Sequence, residues 1–147
     1  MDQSPAYRHM CRKAREIQNQ WVPARGDVYL LARGEDRPQF WMDATGPQAF
    51  RKGFAILREN GIIRIEPRIW LPRQNQLMDL AQVPGVRFQD MTFRFHAFAG
   101  KPLDREKNPD LRSLTTLEQL WLAFVMISRF GKRWDGLTWA PIAPVTA

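Results

Sequence analysis

The chain is poor in the residues that build metal, redox and nucleophilic centres: it holds one cysteine and two histidines in 147 residues. A lone Cys11 closes no internal disulfide and has no partner for a CxxC metal or redox site, which agrees with a reducing compartment. His9 and Cys11 stand two positions apart on a candidate helix. They therefore point to different sides and do not share one ion, and His96 adds at most one ligand elsewhere. No GxSxG elbow, Walker-type glycine loop or HExxH pair occurs. No apolar run approaches the roughly 18 residues of a membrane span, and the polar start Met1-Asp2-Gln3-Ser4-Pro5 speaks against a signal peptide. Blocks of like charge, internal repeats and low-complexity tracts are missing too. These absences set the expectation: a cytoplasmic, non-enzymatic protein with no cofactor, no metal and no membrane.

What the chain has in excess is positive charge. Lys+Arg 22 against Asp+Glu 15 gives +7 and a pI near 10.3, with arginine far outnumbering lysine. Such a balance steers association with polyanions, so nucleic acid is the obvious partner. The rival reading is an arginine-rich solvated surface produced by coding bias or a warm host, because the basic residues are scattered. Hydrophobic content of 44% and charged content of 25% are ordinary for a globular protein. At this length one domain buries roughly 68 to 70% of its unfolded surface, so no staple is required.

The first element reads as a helix. Ser4 is a natural N-cap, Pro5 suits the first helical position, and Tyr7, Met10, Cys11, Ala14, Ile17 and Trp21 form one apolar stripe up to Pro23. Arg8, Arg12 and Arg15 line the other face, with Lys13 and Asn19 nearby and Glu16 as the acid inside the helix. Residues 27–33 and 39–43 around Gly34-Glu35-Asp36-Arg37-Pro38 predict an antiparallel hairpin. Thr45-Gly46-Pro47 suggests another helix start, with Ala49, Phe50, Phe54 and Leu57 on one face and Asn60-Gly61 as the stop. Ile62 to Leu71 alternates as a strand, and Pro67 argues for an edge position.

Trp70 to Leu80 predicts a short helix, and Val83-Pro84-Gly85 a loop. Phe88, Met91, Phe95 and Phe98 fit a helix ending at Gly100 better than they fit a strand. Lys101 to Ser113, charged and with two prolines, reads as a mobile surface loop. A densely apolar helix follows, announced by Thr115-Thr116-Leu117-Glu118 as a capping box, with Leu117, Leu120, Trp121, Phe124 and Val125 expected in the core. Ala140 to Ala147 reads as an extended tail.

The ordered segments Ala14-Arg15-Glu16-Ile17-Gln18 with Trp21-Val22-Pro23 and Gly26-Asp27, Trp70-Leu71-Pro72-Arg73-Gln74-Asn75-Gln76-Leu77, Glu118 to Met126, and Gly131-Lys132 with Trp134-Asp135-Gly136 and Trp139 together resemble a group of small uncharacterised phage and prophage proteins of Gram-positive bacteria. The resemblance spans most of the chain. It implies a phage-derived genetic setting and carries no assigned activity.

Three further sets of residues invite a chemical reading. Glu66, Asp79 and Glu118 are acids that could approach one another, although Glu118 is accounted for as a cap. Six tryptophans and nine phenylalanines could stack bases, but most lie on apolar stripes where packing is the default. Trp134 and Trp139, beside Arg129, Lys132 and Arg133, have the best basic setting, and even there packing is favoured over stacking. Arg73-Gln74-Asn75-Gln76 has the chemistry of base-edge readout, or of solvated residues at a helix start. The expectation is thus an α+β fold of about four helices and a small antiparallel sheet, one domain over 1–140 with a tail over 141–147. Its function is expected to be nucleic-acid binding through Arg8, Arg12, Arg15, Arg73, Arg129, Lys132 and Arg133, with docking on a protein partner as the alternative.

Overall fold

The computed structural model describes residues 1–31, 37–41, 50–51, 54–59, 62–100 and 109–143. They form five α-helices, a short 3-10 helix and seven strands, all strand pairs being antiparallel, so the chain is of the α+β class. Contacts group it into two compact units, residues 3–72 and residues 1–2 with 73–147. We call them the sheet unit and the helical unit and describe each by itself.

The sheet unit opens with α1 (Pro5–Lys13), whose Ser4 hydroxyl accepts from the Tyr7 N–H at 3.2 Å, as an N-cap should. Tyr7, Met10, Cys11, Ala14, Ile17 and Trp21 are all buried. The stripe is correct but the single helix is not. Ala14 leaves the helical region (φ −84, ψ 69), and α2 (Arg15–Gln20) begins anew. An unbroken helix would pair the Cys11 carbonyl with the N–H four residues on. Instead that carbonyl accepts from the Gln18 side-chain amide at 3.1 Å and from Ala14 N–H, which tightens the last turn of α1.

Strands β1 (Val28–Leu31), β2 (Gln39–Phe40), β3 (Phe50–Arg51), β4 (Phe54–Glu59) and β5 (Ile62–Leu71) are ordered β2-β1-β5-β4-β3. The predicted hairpin is present in its described part, with Val28 opposite Phe40 and Tyr29 opposite Gln39; residues 32–36 and 42–43 lie outside the described residues. The predicted helix through Phe50, Phe54 and Leu57 is corrected to strands β3 and β4. Its three- and four-residue spacing was outweighed by pairing, since Phe54 to Glu59 lie opposite Pro67 to Ile62 along six register positions. Asn60-Gly61, read as a helix stop, lie outside the described residues; Glu59 and Ile62 on either side pair with each other. The helix start at Thr45-Gly46-Pro47 lies outside the described residues.

β5 is central in the strand order, not an edge. The reason Pro67 is tolerated is visible in the register: residues 62–67 pair with β4, while Arg68 to Leu71 pair with β1. Pro67 sits at the last β4 position, where the strand changes partner, so its missing N–H falls at the end of a ladder.

In the helical unit α3 (Gln74–Ala81) starts after Trp70 and Leu71, which belong to β5, and Gln76 Oε1 accepts from Arg73 N–H at 2.9 Å. α4 (Phe88–Ala99) ends at Gly100, as its spacing predicts. Met91, Phe95 and Ala99 are buried while Phe88 is exposed, so the buried face is rotated from the predicted one. Within the segment read as a mobile loop, Pro109–Ser113 is a 3-10 helix with Leu111 buried; residues 101–108 lie outside the described residues.

The apolar helix is α5 (Leu117–Phe130), buried without interruption from Gln119 to Met126. Leu117 is 51% exposed, a correction that follows from its place at the first position of the helix. Phe95 of α4 stacks flat on Trp121 at 3.7 Å between centroids, with Phe124 edge-on to both. The cap is one residue later than predicted. Thr116 Oγ1 accepts from Gln119 N–H at 3.2 Å, and Gln119 Oε1 accepts from Thr115 N–H at 2.9 Å. Glu118 faces the Met1 ammonium at 3.5 Å instead. Gly131 closes the helix at φ 59, which a Cβ would strain, and leads into the β6 (Lys132–Trp134) and β7 (Trp139–Pro141) hairpin. Ile142 N–H donates to Gly131 O at 2.8 Å, so the predicted tail begins as part of the fold; residues 144–147 lie outside the described residues.

Candidate nucleic-acid interface

The positive charge is not shared evenly. The sheet unit has twelve Lys/Arg against seven Asp/Glu, or +5, and the helical unit ten against eight, or +2. One of the seven acids in the sheet unit, Asp27, is 2% exposed, with Oδ2 accepting from Trp21 Nε1 and Ala24 N–H, each at 2.9 Å. That carboxylate is turned inward and faces the fold, not the solvent.

Arg8, Arg12 and Arg15 all fall in the sheet unit. Arg8 and Arg12 are half-buried on α1 at i, i+4 spacing, and Arg8 Nε donates to Gln3 O at 2.7 Å. Arg12 and Lys13 lie in the last turn of α1, where a cation complements the helix dipole. Arg15 differs. It is exposed at the first position of α2, the end at which the dipole disfavours a cation, and it adds to the charge of Arg12 and Lys13 three and two positions before it. Local structure accounts for Arg12 and Lys13 but not for Arg15.

The same unit holds an aromatic and polar constellation that apolar spacing reveals only in part. Trp21 stacks on Trp70 at 6.0 Å and meets Trp41 edge-on at 5.9 Å, and Tyr29 meets Trp41 at 5.7 Å. The Arg68 guanidinium lies over Tyr29 and Trp41 at 4.9 and 4.8 Å. Gln18, 6% exposed, donates from Nε2 to Trp70 O at 3.0 Å and accepts at Oε1 from Trp70 N–H at 2.7 Å. Its amide stands in for a neighbouring strand beside the β5 residues that β4 does not reach. Tyr7 Oη donates to Pro72 O at 2.5 Å and holds α1 at the strand's end. Trp21 lies on the predicted apolar stripe; the polar partners Gln18, Asp27 and Arg68 left no periodic signal.

The remaining candidates, Arg73, Arg129, Lys132 and Arg133, fall in the helical unit. Arg73 is half-buried at the start of α3. In the adjoining Gln74-Asn75-Gln76, Gln76 is engaged at the cap and Gln74 Nε2 contacts Met78 Sδ at 4.0 Å, leaving Asn75 as the exposed member. Arg129 donates to Leu80 O at 2.7 Å and lies over Phe130 at 5.8 Å. Lys132 is half-buried and Arg133 exposed on β6, where alternation sends them to opposite faces.

Trp134 and Trp139 are each 6% exposed and face each other across the hairpin at 5.0 Å, so packing is their role. The turn between them is held by Asp135, whose Oδ1 accepts from Leu137 and Thr138 N–H, each at 2.8 Å. Those two bonds, led by Thr138, pull its carboxyl below the usual carboxylate range. A cavity of about 10 Å³ lined by Phe98, Leu111, Ala123, Ile127 and Trp134 among others offers room for about one water molecule, not a substrate.

Among the described residues no three His, Cys, Asp or Glu gather where they could hold a metal ion, and no helix is long and apolar enough to cross a membrane. Asp79 is exposed, and Glu118 is taken by Met1. No protein-family model, no curated protein and no solved structure matches this chain.

Proposed function

We propose that the chain is a phage-derived, non-enzymatic accessory protein of the cytoplasm that binds nucleic acid through the basic surface of its sheet unit. The observation that carries this reading is the net charge of that unit, +5 of the total +7, with Arg12, Lys13 and Arg15 close in sequence on either side of the helix break at Ala14. Cations close together in the chain repel one another, and an anion placed on them relieves that cost. The order of the sequence motifs supports the phage setting.

The test is a fluorescence-anisotropy titration of labelled oligonucleotides from low to physiological salt. Arg8, Arg12 and Arg15 changed together to Gln should weaken binding and flatten its log-log salt dependence by up to about three units of slope. Circular dichroism checks that the variant is folded. A wild type that binds no nucleic acid even at low salt overturns the proposal. The alternative, docking on a protein partner, then leads on the exposed Phe88 and Phe93 of α4.

A further inference from the structure

Resting on that reading, we infer that the nucleic acid is a duplex gripped on its phosphates, without regard to sequence, and not a single strand stacked on aromatic rings. Proteins that hold single strands combine a basic groove with exposed aromatics on which successive bases lie, at roughly 1 to 3 kcal/mol per base. Here that chemistry is withdrawn into the core. All six tryptophans are at most 6% exposed, and the two tyrosines are 0% and 8% exposed. The aromatics exposed among the described residues are Phe40, Phe88 and Phe93. Of these, Phe40 lies in the sheet unit on strand β2, and the other two belong to the unit carrying +2.

A site whose tryptophans and tyrosines are all buried must gain its affinity from charge. A duplex offers one phosphate charge per roughly 1.7 Å of axis, about twice the density of one strand, and each contact releases more counterion, about 0.9 against 0.7. It is also already ordered, whereas a flexible strand would have to be straightened by phosphate contacts alone. Arginine suits this task because its planar fork meets phosphate oxygens in pairs. Contacts of that kind position a duplex without reading it. In the candidate base-reading run Gln76 is engaged at the cap of α3 and Gln74 contacts Met78, which leaves Asn75 as the exposed member.

The experiment compares mixed-sequence duplexes of DNA and of RNA with single strands of equal length, including a thymidine homopolymer, by anisotropy at low salt. Duplexes should bind about tenfold or more tightly than either single strand, the equivalent of one lost stacking contact. Duplexes of scrambled sequence should agree within that factor. Saturation should leave the tryptophan emission unmoved, and Phe40→Ala should leave every affinity unchanged. Single strands binding as tightly as duplexes, quenched tryptophan emission, loss on Phe40→Ala, or strong preference among duplex sequences would each overturn this inference while leaving nucleic-acid binding intact. Failure of every oligonucleotide to bind removes both.

Discussion

The two units solve one problem with different materials. Each contains a helix that buries a glutamine: Gln18 in the sheet unit at 6% exposure and Gln119 in the helical unit at 1%. Gln18 spends its amide on another element, completing the edge of β5 at Trp70 and taking the Cys11 carbonyl. Gln119 divides its amide, Oε1 accepting from Thr115 N–H at its own helix start and Nε2 donating to Asp2 Oδ2, distant in the chain, at 2.8 Å. In the sheet unit a buried amide therefore joins helix to strand, while in the helical unit the elements meet through apolar stacking and the amide finishes a cap. The difference predicts where each unit is fragile. One breaks at a hydrogen-bonding group, the other at an aromatic ring.

The largest effect should come from the ring. Trp121→Ala removes a 3% exposed side chain stacked flat on Phe95 and should cost about 3 to 5 kcal/mol, through lost burial and a residual cavity. Denaturant melts measure the loss; one below about 1 kcal/mol would mean that α4 and α5 are not joined as described. Hydrogen exchange on the same variant sharpens the comparison. If the chain is one cooperative domain over 1–140, as its length predicts, amides of residues 3–72 should lose protection along with those of 73–147.

Next is the amide. Gln18→Leu keeps the volume roughly but strips the Gln18 partner from the Trp70 N–H and C=O, while the Cys11 carbonyl keeps Ala14 N–H. A buried group left unpaired costs about 1 to 3 kcal/mol, so a total near 3 kcal/mol is expected. Exchange should accelerate first at the Trp70 amide. A variant as stable as wild type would show that water satisfies this strand edge and that Gln18 is incidental.

These positions also show what was legible. Apolar spacing identified the stripes of α1 and α5 because burial dominates those choices, and at α4 it gave the helix but not its buried face, since Phe88 is exposed and Ala99 buried. It failed at Phe50, Phe54 and Leu57, where helical spacing coincided with residues that also suit strands and a ten-residue partner, β5, decided. Gln18, Asp27 and Arg68 were invisible because each is polar by type and is held, Gln18 and Asp27 buried and Arg68 half-buried, by partners distant in the chain or across a turn. The candidate interface was half legible. Composition revealed the charge, but its division into +5 and +2 depends on which residues fold together.

The smallest effect separates two adjacent threonines. Thr116 is the N-cap of α5: its hydroxyl accepts from Gln119 N–H and donates to Asp2 Oδ2 at 2.6 Å, so Thr116→Ala should cost about 0.5 to 2 kcal/mol. It should approach the upper end, because Asp2, 8% exposed, keeps Gln119 Nε2 but loses its second donor. Thr115 is exposed, and what the fold uses from it is the backbone N–H that meets Gln119 Oε1, which alanine retains. Thr115→Ala should therefore fall within about 0.5 kcal/mol of wild type, as surface substitutions do. Thermal melts of the two variants side by side decide it. A loss at Thr115 with none at Thr116 would restore the cap to the position first suggested by Thr115-Thr116-Leu117-Glu118, and would remove the buried amide of Gln119 from the start of the helix.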